Sequence, residues 1–88
     1  MNEQAIIAVV SIAAGALTMA VGAVGAALGE SRIGAAAMDA LARQPDEAGS
    51  ITRTLFVSLA MVESTAIFCL VIALILLFAN PFTQGGAP

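Results

Sequence analysis

The sequence predicts an all-α membrane protein, a two-helix transmembrane hairpin that assembles into a homo-oligomeric ring. Three observations carry that prediction. Two apolar runs are each long enough to cross a bilayer. One short stretch of Pro, Gly and charge separates them. The first run is built from small residues and the second from bulky ones. The composition agrees: of 88 residues, 60% are apolar and 10% charged, with a net charge of −3. A water-soluble domain of this size needs far more charge to cover its surface, and disorder needs low hydrophobicity. Three Arg and no Lys give no basic patch, so nucleic acid is not a partner. One Cys and no His leave no intrachain disulfide and no ordinary zinc site.

Helix 1 is expected over about residues 4–43. No charge interrupts residues 4–29, and the 24 residues 5–28 give about 36 Å of helix. The run lacks a basic leader and is too long for a signal-peptide core, so it is read as a span. The loop, residues 44–49, clusters Pro45, Asp46, Glu47 and Gly49. Pro45 disfavours helix at Gln44, and Ser50 is the expected N-cap of helix 2. Helix 2 is expected over about 50–79, stopped at Asn80-Pro81, with a short frayed tail over 83–88. All three Arg (Arg32, Arg43 and Arg53) lie around the loop. The positive-inside tendency then places the loop in the cytoplasm and both termini on the other side.

The helices differ in bulk. Residues 5–28 contain nine Ala and three Gly, whereas residues 55–79 contain fifteen Leu, Ile, Val or Phe. Gly15, Thr18, Gly22, Gly25 and Gly29 recur at spacings of 3 and 4 on one face of helix 1. Such a stripe lets helix backbones approach closely in lipid. Small-residue helices crowded inside and bulky helices facing lipid outside describe a ring of identical copies.

Glu63 is the one charge within residues 55–79. An intramembrane carboxylate costs several kcal/mol unless it is paired or protonated, and it marks a functional site by default. Glu30 is equidistant with it from the turn, so the two are expected to lie level. Ser64 and Thr65 offer hydroxyl oxygens, and the carbonyls near Met61 offer another acceptor. Hard oxygen ligands suit H⁺ or a small cation such as Na⁺ rather than a soft metal. Two close carboxylates do not cheaply both ionise in a poorly hydrated site. The pair becomes neutral on taking up H⁺ or Na⁺, and only a neutral site is cheap to turn toward lipid. The hydroxyls have a competing use, since helical Ser and Thr bond back to i−4 carbonyls. Arg32 points to another face than Glu30 and is read as snorkelling to the cytoplasmic surface. Cys69 is read as a small apolar filler.

These residues resemble the ring-forming proteolipid, or c subunit, of rotary ATP synthases. The resemblance covers nearly the whole chain. It rests on the small-residue helix 1, the loop Ala42-Arg43-Gln44-Pro45, the intramembrane Glu63 and the ending Ala79-Asn80-Pro81-Phe82. Helix 1 departs from the family's alternating glycines, reading Ala23, Gly25, Ala27, Gly29 and Ser31, which leaves the ring size open. The resemblance implies that Glu63 carries one ion per copy. It implies a static a subunit whose Arg releases that ion, and a central stalk that docks on Arg43, Gln44 and Pro45. It implies that ATP chemistry belongs to the soluble head, that no cofactor is needed, and that a bacterial inner membrane holds the ring. Glu30, Glu63, Ser64, Thr65 and the Met61 carbonyl match the family's sodium-type ligands. Phe68 stands where sodium-type members often carry Tyr. The more apolar pocket favours the protonated carboxylate, so H⁺ is the expected ion and Na⁺ the alternative. A drug–proton exchanger, which usually needs about four spans and aromatic side chains, fits poorly. A holin-like pore has no need of two level carboxylates.

Overall fold

The computed structural model describes residues 2–80; Met1 and residues 81–88, with the expected tail and the Pro81-Phe82 ending, lie outside them. Two helices account for almost all of the described chain. Helix α1 runs Glu3–Arg43 over 41 residues, and helix α2 runs Ala48–Phe78 over 31. They pack antiparallel into a slab of 64 × 18 × 9 Å. Both are long and apolar enough to cross a membrane.

Each terminus has a local cause. Asn2 opens α1, its side-chain oxygen accepting from the Ala5 N–H at 2.7 Å, a cap that the hydrophobic pattern does not single out. At the other end Pro45 drives Gln44 out of helical geometry, to φ −132° and ψ 69°. The Gln44 N–H still closes the last turn on Ala40 O at 2.8 Å.

The turn is shorter than the expected 44–49 loop. Pro45–Glu47 forms one turn of 3₁₀ helix and runs directly into α2. Ser50 is therefore not the N-cap. Glu47 occupies that position without a side-chain capping bond, and Ser50 lies inside the first turn. The Ala48 N–H already bonds Pro45 O, so no break in the ladder remains for Ser50 to cap. Helix α2 ends at Phe78, where the Ala79 N–H bonds Ile75 O and the Asn80 Nδ2 donates to Leu76 O, both at 3.1 Å. The Asn80 side chain thus serves a carbonyl left over at the end of the helix.

The seam between the helices is made of small residues. Ser11, Gly15 and Ala37 of α1 and Ala66 and Ala73 of α2 are buried. A Cβ at Gly15 would lie 3.4 Å from Ala73 O and 3.5 Å from the Leu76 Cβ, and one at Gly29 would lie 3.8 Å from Val62. At Gly22 it would lie 2.7 Å from the Cys69 Sγ and 2.8 Å from its Cβ, closer than atoms pack. Gly25 has nothing within 4 Å. Three glycines of the expected ring-packing stripe therefore serve the hairpin's own seam, because a seven-residue step keeps them facing α2. Gly25 alone of the four stays open. Outside the seam, large apolar residues such as Val10, Leu17, Val21, Phe56 and Phe78 remain exposed along both helices. That surface suits lipid and neighbouring helices.

Candidate functional site

Register decides which side chains meet. The contacts Gly15–Leu76, Gly22–Cys69 and Gly29–Val62 are each symmetric about the Pro45–Asp46 bond. Gly29 and Val62 are therefore level, and Glu30 and Glu63 follow them by one residue. In antiparallel helices that step turns both side chains onto the same flank of the hairpin. It separates them in depth by only about 3 Å.

Across the seam the Glu63 carboxyl comes within hydrogen-bonding reach of Glu30, and among the described residues it is the charged group that acts on Glu30. The Glu30 Oε1 is shut away from solvent and finds no hydrogen-bond donor among the described residues. An ionised carboxylate is an acceptor without a proton to give. Two facing carboxylates therefore leave an orphaned acceptor, which a shared proton or a small cation would satisfy. The one ion pair among the described residues, Arg43 to Asp39 at 2.6 Å, is exposed near the turn and does not reach this flank.

The other expected site residues sit elsewhere on α2. The Ser64 hydroxyl donates to Ala60 O at 2.8 Å, the back-bonding use of a helical serine. Thr65 and Met61 are each two residues from Glu63, about 200° around the helix, and so occupy the opposite flank. Both are exposed, Met61 at 69%. Helix α2 is unbroken here, so the Met61 carbonyl remains within its ladder. Phe68 is also exposed at 69% and closes no side of the carboxylate pair. One chain thus brings together Glu30 and Glu63 and does not bring Ser64, Thr65 or Met61 to them. Among the described residues no group of three or more His, Cys, Asp or Glu forms a metal cluster. Arg43, Gln44 and Pro45 are exposed at the tip of the hairpin.

The sequence pattern of the ATP synthase C-subunit family matches residues 12–76, which hold both carboxylates, the turn and most of the seam. The chain is 61% identical to the second ATP synthase c subunit of Cereibacter sphaeroides over 75 residues, covering 85% of this chain and 90% of that one. It is 49% identical to the ATP synthase c subunit of Petrotoga mobilis over 65 residues, 74% of this chain and 68% of the other. It is 45% identical to the chloroplastic ATP synthase c subunit of Cyanidioschyzon merolae over 80 residues, 91% and 99% of the two chains. With its apolar antiparallel hairpin, its glycine seam and Glu30 beside Glu63, the chain belongs to the ATP synthase c-subunit family.

Proposed function

We propose that the chain is the rotor-ring subunit of a rotary ATP synthase and carries H⁺ by reversible protonation of Glu63. The observation that supports H⁺ over Na⁺ is the Ser64 hydroxyl, which donates to Ala60 O within α2 rather than facing the carboxylate pair. One proton held between the carboxylates supplies the donor that the Glu30 Oε1 lacks. Na⁺ would require several oxygens at once, of which a single hairpin offers those of the two carboxylates on that flank, so the rest would have to come from the next copy. Copies packed flank to flank face each Glu30/Glu63 pair with the Met61 and Thr65 of the next copy, so neighbouring copies close the site.

The mechanism rests on charge and dielectric. With Glu63 ionised the site is costly to expose to lipid; protonated, it is cheap. A loaded copy therefore turns through the bilayer, while an unloaded one stays beside a static, positively charged a subunit. Arg43, Gln44 and Pro45, exposed at the tip, dock the central stalk on the cytoplasmic side, both termini face the other way, and the membrane is the bacterial inner membrane. The chain itself carries out no bond chemistry and needs no cofactor; ATP is made or hydrolysed in the soluble head.

Carbodiimide labelling of the purified oligomer tests this reading, because the reagent modifies a protonated carboxyl in an apolar site. Labelling should fall on Glu63, decline as pH rises, and be indifferent to millimolar Na⁺. Protection by Na⁺ and not by K⁺ would make Na⁺ the carried ion, with Ser64 and Thr65 of adjoining copies as its ligands. An unlabelled Glu63 in an intact oligomer would sink the ion-carrier reading itself.

A further inference from the structure

The hairpin treats one of its three arginines differently from the others. Arg32 and Arg53 form no ion pair among the described residues, whereas the Arg43 guanidinium donates to the Asp39 carboxylate at 2.6 Å. Arg43 is the last residue of α1 and adjoins Gln44 and Pro45 at the tip. Three carboxylates lie within four residues of it in sequence: Asp39 one turn back, and Asp46 and Glu47 in the 3₁₀ turn ahead. It takes the one behind. Helical side chains lean toward the N-terminus, so an arginine four residues after a carboxylate falls over it. An arginine in a last turn can also fold forward onto the final carbonyls of its helix. Here the guanidinium bonds Asp39 instead.

The pair does little for the fold. Both side chains are mostly exposed, Arg43 at 74% and Asp39 at 60%, and an exposed ion pair of this kind contributes next to nothing to stability. What it fixes is direction. A free arginine spreads over many rotamers, and ordering it opposes binding; a preformed contact removes part of that cost. Held by Asp39, the guanidinium lies back along the side of α1. Gln44, Pro45, Asp46 and Glu47, all exposed, are left as the leading edge of the hairpin. The Asp39 contact uses one terminal nitrogen, and a guanidinium has five N–H donors in a fixed fork. The remaining donors stay accessible at the flank of the tip. Because the pair is neutral as a whole, it recognises a partner by directed hydrogen bonds rather than by net positive charge.

We propose that Asp39 is a positioning residue for the docking surface at the tip, holding the Arg43 guanidinium back along α1 so that its free N–H donors meet acceptor oxygens of the central stalk. The inference rests on the stalk-docking part of the rotor-ring reading and deepens it. Arg43 makes the contact, and Asp39 decides where the contact is made. The stalk then presents carboxylate or carbonyl oxygens to the flank of α1, with the 44–47 edge seated beside them.

A double-mutant cycle tests it, read as the half-saturating concentration at which the soluble head with its central stalk binds the purified oligomer. Arg43→Ala sets the scale and should weaken binding about tenfold. Asp39→Ala should weaken it about threefold, the size expected for loss of a preorganised side chain, and Asp39→Asn, of similar shape without the charge, should also weaken it. Alanine is the stronger helix former, so Asp39→Ala does not loosen α1 through propensity; amide exchange over residues 40–43 should change by less than about twofold. Asp39→Glu keeps a carboxylate one turn before Arg43 and should bind as the wild type does. In an Arg43→Ala background, Asp39→Ala should have no further effect. A threefold loss that persists in that background would make Asp39 itself the stalk contact and overturn the inference. Unchanged or tighter binding by Asp39→Ala would overturn it too. Wild-type binding by Arg43→Ala would remove the docking role of the loop and this inference with it. Ion carriage is read separately, by carbodiimide labelling of Glu63, so its failure is distinguishable from either result.

Discussion

Adding one methyl group at Gly22 should open the seam at its tightest point. The new Cβ would stand 2.7 Å from the Cys69 Sγ and 2.8 Å from its Cβ. Carbon and sulfur pack no closer than about 3.5 Å, so the helices must part there by close to 1 Å. Rotating the Cys69 side chain relieves the sulfur contact but not the Cβ contact, because Cβ is fixed by the backbone. Neighbouring seam positions resist the shift, with Gly15 held against Ala73 and Gly29 against Val62. Overpacking of this kind costs about 1–3 kcal/mol, offset by up to about 1 kcal/mol from the better helix propensity of Ala. Cys69, the single cysteine, is itself the reporter. Cys69 is half-buried against Gly22, so parting the seam there should uncover its thiol, and alkylation by a maleimide in the detergent-purified oligomer reads that opening. A net loss of about 1.4 kcal/mol should accelerate alkylation about tenfold. A Cys69→Gly background removes both clashing atoms, and there Gly22→Ala should leave the dissociation temperature of the oligomer unchanged or raised. Gly25→Ala, which meets nothing in the hairpin, should leave Cys69 alkylation at the wild-type rate. Unchanged alkylation in Gly22→Ala, or an equal loss of stability with and without Cys69, would refute the seam argument.

Two further outcomes follow from local geometry. Ser64→Ala removes a hydroxyl that donates to Ala60 O within the helix. Hydrogen exchange in α2 should be nearly unaltered, and a large change in the pH dependence of Glu63 labelling would instead show Ser64 acting on the ion. Asn80→Ala removes the donor to Leu76 O at the end of α2. The last turn should fray, with amide exchange at Ala79 faster by about fivefold, corresponding to a lost capping bond of about 1 kcal/mol; exchange near Glu63 should not move.

The sequence made some of this legible and hid the rest for physical reasons. Both spans, the break at Pro45 and the neighbouring depths of Glu30 and Glu63 follow from hydrophobic length and from counting residues about a turn, although the register centres on Pro45–Asp46 and offsets the pair by about 3 Å instead of leaving it level. Ser50 misled because its identity suits an N-cap, whereas the cap is decided by where the 3₁₀ turn hands over to α2, and that happens at Glu47. The glycine stripe was visible, but not its division. Spacings of 3 and 4 define a face about 100° wide, and only the position of α2 decides that Gly15, Gly22 and Gly29 are covered while Gly25 is not. Cys69 read as a filler because nothing in its neighbours signals that Gly22 sits directly against it.

On the proposed reading, the same geometry makes the two carboxylates depend on assembly. The hairpin buries chiefly Ala, Gly and Ser along its seam and leaves its Leu, Val and Phe residues outside. A seam of small residues holds the backbones close, which fixes the depth of Glu30 against Glu63, but it buries little side-chain surface. Rigidity in position and weakness in burial then come from one cause, the lack of side-chain volume between the helices. Packing against further copies supplies the missing contact, and it also closes the flank on which the pair stands. A carboxylate on such a flank changes from exposed to enclosed without any rearrangement of its own chain. On this reading, the energy difference between loaded and unloaded states is set by what stands beside the hairpin, while the hairpin itself stays rigid.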